Sequence, residues 1–171
     1  MSIFIRRSAV AAILSIICFL SFSSQLLFQH IDPAPLTQPQ AIRFNLLIAC
    51  LLISFARAAS TNPGSSHQLT ADRLKSWAES RPAHYVRFCR KCDQVKPDRW
   101  HHCRTCGTCI PKMDHHCIWL NNCISHTNFP HFTRFLLYSF SAMCYLQYFL
   151  FVRLKVLWDK RNLPHVSPTN H

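Results

Sequence analysis

The chain of 171 residues has a formal net charge of +12, ten cysteines, eleven histidines and only two glycines, and 49% of its residues are hydrophobic. Its apolar residues are grouped into long runs, which excludes an ordinary soluble domain with one central core. The positive charge would suit a nucleic-acid-binding zinc module, but apolar runs flank the cysteines and no recognition helix separates them, so we expect no nucleic-acid partner.

The first apolar run, residues 9–28, carries no charge and predicts a membrane helix, since ~20 apolar residues span a bilayer. A cleaved signal peptide over residues 1–24 is the alternative, because Arg6 and Arg7 precede the run and small residues end it. The run is longer than a signal core of ~7–15 residues. An odd cluster of seven cysteines would also be difficult to pair as disulfides in an oxidising lumen.

Two further runs predict the second and third membrane helices. Residues 44–55 are flanked by Arg43 and Arg57, so this short run spans only if both arginines reach the interfaces and the helix extends at each end. The alternative is a buried or interfacial helix. Residues 135–152 are uncharged and close to the ~17-residue lower limit for a spanning helix.

The distribution of basic residues predicts the orientation in the membrane. Arg6 and Arg7 precede the first helix, the loop of residues 30–40 has no Lys or Arg, and residues 57–134 are strongly basic. The positive-inside rule therefore puts the N-terminus and the cysteine-rich segment in the cytosol, where thiolate–zinc sites are favoured over disulfides. A group of basic residues near the C-terminus disagrees with this topology, because three spans would put it in the lumen: Arg153, Lys155, Lys160 and Arg161.

Seven cysteines lie within residues 89–123, with Cys-x-x-Cys spacing between Cys89 and Cys92 and twice in succession through Cys103, Cys106 and Cys109. A closed zinc site takes four sulfur or nitrogen ligands, so two sites need eight, which six cysteines and two histidines supply. One cysteine is left over. Cys117 is the natural candidate, because Asp114 and His115 precede it closely and supply a carboxylate and an imidazole base for a nucleophilic thiol. The alternative is that Cys117 is a spare ligand or an inert buried thiol, and spacing alone does not decide how the ligands are grouped.

The predicted fold class is an α-helical multi-pass membrane protein of about three spans with an irregular two-zinc cysteine-rich cytosolic domain. No internal repeat is expected. We predict a short helix at the membrane surface over residues 70–80, after a turn at residues 62–64. The predicted boundaries are two N-terminal membrane helices in residues 1–59 (about 9–28 and 42–58), a cytosolic linker over 60–83, the zinc domain over 84–131, the third membrane helix over 132–158 and a tail over 159–171.

Residues 88–134 resemble the cysteine-rich domain of the Asp-His-His-Cys (DHHC) protein S-acyltransferases, the palmitoyltransferases. The matching positions are Lys96, Pro97, Arg99, His102, Cys103, Met113 to Cys117, Trp119, Asn121 to Cys123 and Asn128. The sequences of residues 44–47, 125–126 and 129–132 are most similar to those of the fungal endoplasmic-reticulum branch of the family.

The resemblance implies a role for each site residue. One zinc would be held by Cys89, Cys92, His102 and Cys109, and the other by Cys103, Cys106, His116 and Cys123. Both ions would be structural. Cys117 would be the nucleophile that accepts the acyl group, His115 its general base, and Asp114 the group that orients the imidazole.

The resemblance also implies the substrates and partners. Palmitoyl-CoA would be the acyl donor, and the acceptors would be membrane proteins with cytosolic juxtamembrane cysteines, such as chitin-synthase-like cargo by analogy with the fungal branch. The protein would lie in the bilayer of the endoplasmic reticulum. Several basic residues could meet the CoA phosphates or anionic lipid, although a solvated basic face is the simpler interpretation: Arg81, Arg87, Arg90, Lys91, Lys96, Arg99, Arg104 and Lys112.

The sequence departs from the family pattern in several places. Ile118 stands where proline is usual, Leu120 where a β-branched residue is frequent, and Asn62 where the family has Asp before Pro-Gly. The pattern also continues with a fourth membrane helix and a Thr-Thr-x-Glu motif, which these 171 residues do not contain, so we expect a C-terminally truncated form whose acyl pocket lacks one wall. The alternative function is an inactive membrane zinc protein that acts as a scaffold or regulator.

Overall fold

A computed structural model describes residues 3–30, 36–66, 70–82 and 86–162. Most of the predicted tail and part of the first loop lie outside the described residues. The elements in chain order are the helices α1 (Ile3–His30), α2 (Gln38–Ser60) and α3 (Ala71–Glu79), the strands β1 (Arg87–Cys89), β2 (Gln94–Lys96), β3 (His101–Cys103), β4 (Thr108–Ile110), β5 (His115–Cys117) and β6 (Asn122–Ile124), and the helix α4 (Phe129–Asn162).

Three of the helices are long and apolar enough to cross a membrane: Val10–His30, Gln38–Ser60 and Phe129–Asn162. The prediction of three spans with a cysteine-rich domain is therefore confirmed. The second helix begins before its apolar run, at an N-terminal cap. In this cap the Thr37 backbone N–H donates to Gln40 Oε1 at 2.9 Å. Large apolar side chains on the outer faces of these helices are exposed, for example Phe19, Phe22, Phe140 and Phe151, as expected for contact with lipid.

Helices α2 and α4 form the main packing interface. Phe55 is 1% exposed and meets the Phe135 ring edge to face, with centroids 5.4 Å apart. At the other end of the pair, Phe44 stacks on Tyr145 with centroids 6.3 Å apart. Because aromatic side chains hold both ends, the two helices have a fixed relation along most of the membrane span.

Helix α1 joins this pair through polar contacts as well as apolar ones. The side-chain amides of Gln25 and Asn45 exchange two hydrogen bonds, each of 3.0 Å. The buried Arg153 of α4 donates to the carbonyl oxygen of Phe28 and lies over the same ring at 4.5 Å. The guanidinium is therefore hydrogen-bonded at the C-terminal end of α1, to a carbonyl that also accepts the Leu36 backbone N–H at 3.0 Å. Arg153 directly follows the uncharged run of residues 135–152 in α4, which is about 27 Å long, close to the ~30 Å hydrocarbon thickness.

The cysteine-rich domain consists of three antiparallel β-hairpins, β1–β2, β3–β4 and β5–β6. Each turn has a residue with positive φ at the same place, at Asp93 (50°), Gly107 (70°) and Asn121 (49°). The first cysteine of each hairpin follows the previous one by fourteen residues, at Cys89, Cys103 and Cys117. The expectation of no internal repeat is therefore wrong. Three-residue strands are too short for the alternating pattern by which strands are recognised.

Two asparagines fix the zinc domain on the end of α2. The Asn122 side-chain amide donates to the carbonyls of Ala58, Ala59 and Thr61 at 3.1, 3.1 and 2.8 Å. The Asn128 amide donates to the Ala58 carbonyl at 3.2 Å. These are carbonyls that a helix leaves unpaired at its C-terminus. The cysteine-rich domain thus caps the C-terminal end of α2, and its position over the bundle follows from this contact.

The turn that follows α2 also lies against the zinc domain. Asn62 Oδ1 accepts the Gly64 backbone N–H at 2.8 Å, a bond that the aspartate usual in the family could make equally well. The hydroxyls of Ser125 and Thr127 donate to backbone carbonyls of this turn at 2.7 and 2.9 Å. Gly64 has a φ of +84°, and a Cβ there would come within 2.8 Å of a proline ring in the zinc domain. The turn therefore requires glycine for both conformation and space.

Candidate functional site

The first cluster of potential metal ligands joins the first two hairpins. It consists of Cys89, Cys92, His102 and Cys109, whose ligand atoms all lie within 4.8 Å of one another. His102 Nδ1 is 3.6, 3.2 and 4.0 Å from the three sulfur atoms, in chain order. Tetrahedral zinc, with bonds of about 2.3 Å to sulfur and 2.0 Å to nitrogen, places such atoms roughly 3.5 Å apart. The donor set and its spacing therefore fit zinc.

The second cluster joins the second and third hairpins. It consists of Cys103, Cys106, His116 and Cys123, again within 4.8 Å. His116 Nδ1 is 3.6, 3.5 and 3.4 Å from the three sulfurs, and the sulfurs of Cys106 and Cys123 are 3.5 Å apart. Four protein donors fill a tetrahedral site and leave no position for water or substrate, so the arrangement suits a structural ion.

The hairpin repeat explains how the two clusters interleave. Each cluster takes a Cys-x-x-Cys pair from the turn of one hairpin and a cross-strand His–Cys pair from the next. The cross-strand pairs are His102 with Cys109 in β3–β4 and His116 with Cys123 in β5–β6. The middle hairpin contributes to both clusters, so neither can form unless the other folds with it. The structure groups the eight residues as the family resemblance implies, and their role as zinc ligands stays a prediction.

Burial of the ligand atoms changes their acid–base properties. It lowers the pKa of His102, with Lys91, Lys96 and Arg104 adding repulsion, so the ring is held neutral, as a ligand must be. Burial raises the pKa of Cys109 to about 12 and that of Cys123 upward as well, helped in each case by hydrogen bonds among the cysteines of the cluster. Without a cation each cluster would keep a proton, which a divalent ion replaces.

Cys117 lies outside both clusters, at the place where the repeat changes. In the first two hairpins the third residue after the leading cysteine is Cys92 or Cys106, whereas in the third it is Leu120. Leu120 is 2% exposed and shares a buried cluster with Phe55 of α2. The third hairpin thus presents an apolar side chain to the membrane helices in place of a second ligand. Cys117 occupies a ligand position for which no third metal site exists among the described residues.

The neighbours of Cys117 on β5 are arranged by the pleat of the strand. Alternate residues face opposite sides, so His115 shares a face with Cys117 while His116 faces the second cluster. His115 Nδ1 is 2.9 Å from Asp114 Oδ2, and the ring meets Phe132 edge to face at 5.3 Å. The carboxylate fixes Nδ1 as the protonated nitrogen and leaves Nε2 to exchange protons. Within the described residues, the Cys117 thiol has no hydrogen-bond partner.

The surroundings of Cys117 are apolar and belong to all three membrane helices. Phe132 and Phe135 of α4 pack against its cluster, as do Val10, Ile13 and Leu14 of α1. The thiol is therefore buried at the junction of the zinc domain with the membrane bundle. The side chains around the sulfur are therefore ones that a hydrocarbon chain would contact in preference to water.

Some features of the site were not predicted from the sequence. Asn122 and Asn128 were noted only as matching positions, yet they hold the domain on α2. The fourteen-residue spacing of the leading cysteines was the available signal for the hairpins. Of the basic residues considered for phosphate contact, Arg81 is engaged locally, 2.8 Å from Asp98 and 4.7 Å above the Trp77 ring.

The chain matches known proteins over most of its length. A family model described as DHHC palmitoyltransferase matches residues 83–170, about half of the chain. The chain is 45% identical over 162 residues to palmitoyltransferase pfa4 of Emericella nidulans, which covers 94% of this chain and 37% of the relative. It is 44% identical over 161 residues to palmitoyltransferase pfa4 of Aspergillus fumigatus, covering 94% and 38%.

A yeast relative matches less of the sequence. Palmitoyltransferase PFA4 of Saccharomyces cerevisiae is 39% identical over 129 residues, which cover 75% of this chain and 32% of the relative. The chain thus spans little more than a third of the length of the curated relatives that it matches. The matched part includes both cysteine–histidine clusters and Cys117.

Proposed function

The chain belongs to the DHHC palmitoyltransferase family, and we propose that it transfers a long-chain acyl group from palmitoyl-CoA to cysteines of membrane proteins through an acyl-Cys117 intermediate. One observation carries the proposal. Of the seven cysteines in residues 89–123, Cys117 is the one that both four-residue clusters leave out, and it is buried where the zinc domain meets the membrane helices, beside the His115–Asp114 pair.

In the first half-reaction, His115 takes the proton of the Cys117 thiol, and the thiolate attacks the thioester carbonyl of palmitoyl-CoA. The carbonyl–sulfur bond of the donor breaks, and the CoA thiolate leaves with the proton that His115 carried. Asp114 stabilises the imidazolium that forms between the two steps. The site ends as a thioester of Cys117, and no oxidant or further reactant is consumed.

In the second half-reaction, His115 takes the proton of a substrate cysteine thiol, and the thiolate attacks the Cys117 thioester. The bond between the acyl carbonyl and the Cys117 sulfur breaks, and His115 returns the proton to restore the Cys117 thiol. The acyl chain would lie among the apolar side chains of α1 and α4 next to Cys117. Each buried methylene contributes ~0.8 kcal/mol, so a sixteen-carbon chain prefers this place to water by far more than the cost of ordering it. The two zinc ions would fix the backbone of β5 without touching substrate.

We further propose that the zinc domain faces the cytosol and that the membrane is that of the endoplasmic reticulum. The basic segment between α2 and α4 supports the orientation through the positive-inside rule. In this orientation Cys117 meets palmitoyl-CoA and juxtamembrane cysteines of membrane proteins at the cytosolic surface. The location in the endoplasmic reticulum rests on the resemblance to the fungal branch.

The test is acyl labelling of the purified chain in detergent. Wild-type protein incubated with labelled palmitoyl-CoA should acquire label that hydroxylamine removes, and Cys117→Ser should lose it. Cys144→Ser is the matched control, because Cys144 is an exposed cysteine of α4 remote from the clusters, and it should label like wild type. If Cys117→Ser labels as well as wild type, the nucleophile assignment is wrong. No label on a chain that holds both zinc ions would favour the inactive scaffold.

A further inference from the structure

A cavity lies between α2 and α4, apart from the buried residues around Cys117. It has a volume of about 330 Å³. Arg57 of α2 and His131 and Arg134 of α4 line one end, while Ile53 and Tyr138 line the other. No residue of the buried cluster around Cys117 lines it. The acyl-transfer site and this cavity are therefore separate openings on the same helix pair.

The positive charge of this cavity is not balanced by the protein. In the described part of the chain no carboxylate pairs with Arg57 or Arg134, whereas Arg81 has Asp98 at 2.8 Å. The first turn of α4 contains no acidic residue, so His131 and Arg134 lie near the positive end of its helix dipole, while Arg57 lies in the last turn of α2, at the negative end of that helix. Two permanent cations held together in this way favour an anion between them.

The position of the cavity indicates what kind of anion it takes. Arg134 precedes the uncharged run of α4, and Arg57 follows the apolar run of α2, so both lie at one boundary of the hydrocarbon layer. Cys50, also in the lining, is seven residues before Arg57, which is about 10 Å deeper along the helix. The cavity thus has a cationic mouth at headgroup depth and an apolar lower part, the pattern that a phospholipid matches.

We propose that Arg57 and Arg134 bind the phosphate of an anionic phospholipid, with its upper acyl chain against Ile53 and Tyr138. Arginine forms paired hydrogen bonds with phosphate oxygens, which gives the site its preference for an accessible phosphate over a zwitterionic headgroup. The lipid would bridge α2 and α4 directly below the zinc domain. The site is independent of acyl transfer, since none of its residues belongs to the proposed catalytic group.

The experiment is native mass spectrometry of the full chain released from detergent micelles, with dioleoyl phosphatidate and dioleoyl phosphatidylcholine as paired probes. Wild type should bind phosphatidate about tenfold more tightly. Arg57→Gln with Arg134→Gln should remove that preference. The matched control is Arg43→Gln with Arg161→Gln, which takes the same two charges from exposed positions on the same helices and should keep it. Zinc content, measured for every variant, reports folding.

Each of the following results would overturn the proposal. Retention of the preference in the first double variant would show that the cavity does not hold the headgroup. An equal loss in the control variant would mean that overall charge, and not this cavity, attracts the lipid. Displacement of phosphatidate by inorganic phosphate alone would assign a free anion to the site, and displacement by palmitoyl-CoA would assign the acyl donor. If the double variant loses zinc, Arg57→Lys with Arg134→Lys replaces it, and unchanged binding in that variant contradicts the need for arginine geometry.

Discussion

Asn128 is a buried residue at the junction of the zinc domain with α2, and its replacement should destabilise both the domain and this junction. Its side chain is fully buried. The amide donates to the carbonyls of Cys123 and Ala58 at 2.8 and 3.2 Å, and its oxygen accepts the Ser125 backbone N–H at 2.8 Å. Asn128→Ala removes three hydrogen bonds at about 0.5–1.5 kcal/mol each, so the expected loss of stability is about 3 kcal/mol.

The assay is thermal unfolding of the purified chain in detergent, together with the rate of zinc release to a chelator. A loss of about 3 kcal/mol corresponds to a Tm lowered by roughly 6–12 °C. Asn128→Asp keeps the acceptor but loses both donors and buries a charge, so it should be at least as destabilised. Asn62→Ala is the control, because it removes one hydrogen bond from an exposed turn and should cost about 1 kcal/mol or less. Equal Tm values for Asn128→Ala and Asn62→Ala would refute the reasoning.

The remaining predictions concern metal, topology and the bundle. Cys117→Ser should keep two zinc ions per chain in elemental analysis, and a lost equivalent would make Cys117 a ligand. His116→Ala should lose at least one zinc and unfold the cysteine-rich domain, because the two clusters share a hairpin. His115→Ala should keep both zinc ions and slow acyl labelling, and the same metal content in the two variants would contradict the strand alternation. A glycosylation acceptor added after His171 should be modified, and an unmodified acceptor on a chain with a cytosolic N-terminus would mean that one helix does not cross. Arg153→Met should destabilise the packing of α1 by about 1 kcal/mol in thermal unfolding, because the Phe28 carbonyl loses the Arg153 donor and keeps only the Leu36 N–H, and an unchanged Tm would show that this contact is dispensable.

The membrane helices could be predicted because length and charge alone determine them. Even there, the sequence leaves the second helix ambiguous, since its uncharged run of residues 44–55 is only twelve residues long. Its extent depends on contacts beyond its own sequence. Asn122 and Asn128, more than sixty residues away, supply the hydrogen-bond donors that its last carbonyls need. No local pattern in α2 contains that information.

The candidate site, too, could be predicted from the sequence only in part. Counting ligands was enough to leave one cysteine over, because zinc chemistry fixes the number four. It did not group the ligands, since Cys-x-x-Cys pairs can combine with either histidine. The grouping depends on β3–β4 and β5–β6, whose register places His102 opposite Cys109 and His116 opposite Cys123. Such registers are set by turn conformation, which depends on single residues such as Gly107.

The three hairpins also make the zinc domain a short directional array. The first two hairpins each supply a Cys-x-x-Cys pair, and the hairpin that follows completes the metal cluster with a His–Cys pair. Each hairpin therefore depends on its neighbour, as repeats do in solenoid proteins. Such an array needs a last unit that differs from the others, because its outward face meets something other than another repeat. Here the difference is Leu120, which packs against α2 at the end of the array, where the other two hairpins have a ligand cysteine. The unpaired thiol of Cys117 is thus what remains when a metal-linked repeat is terminated at a lipid bilayer.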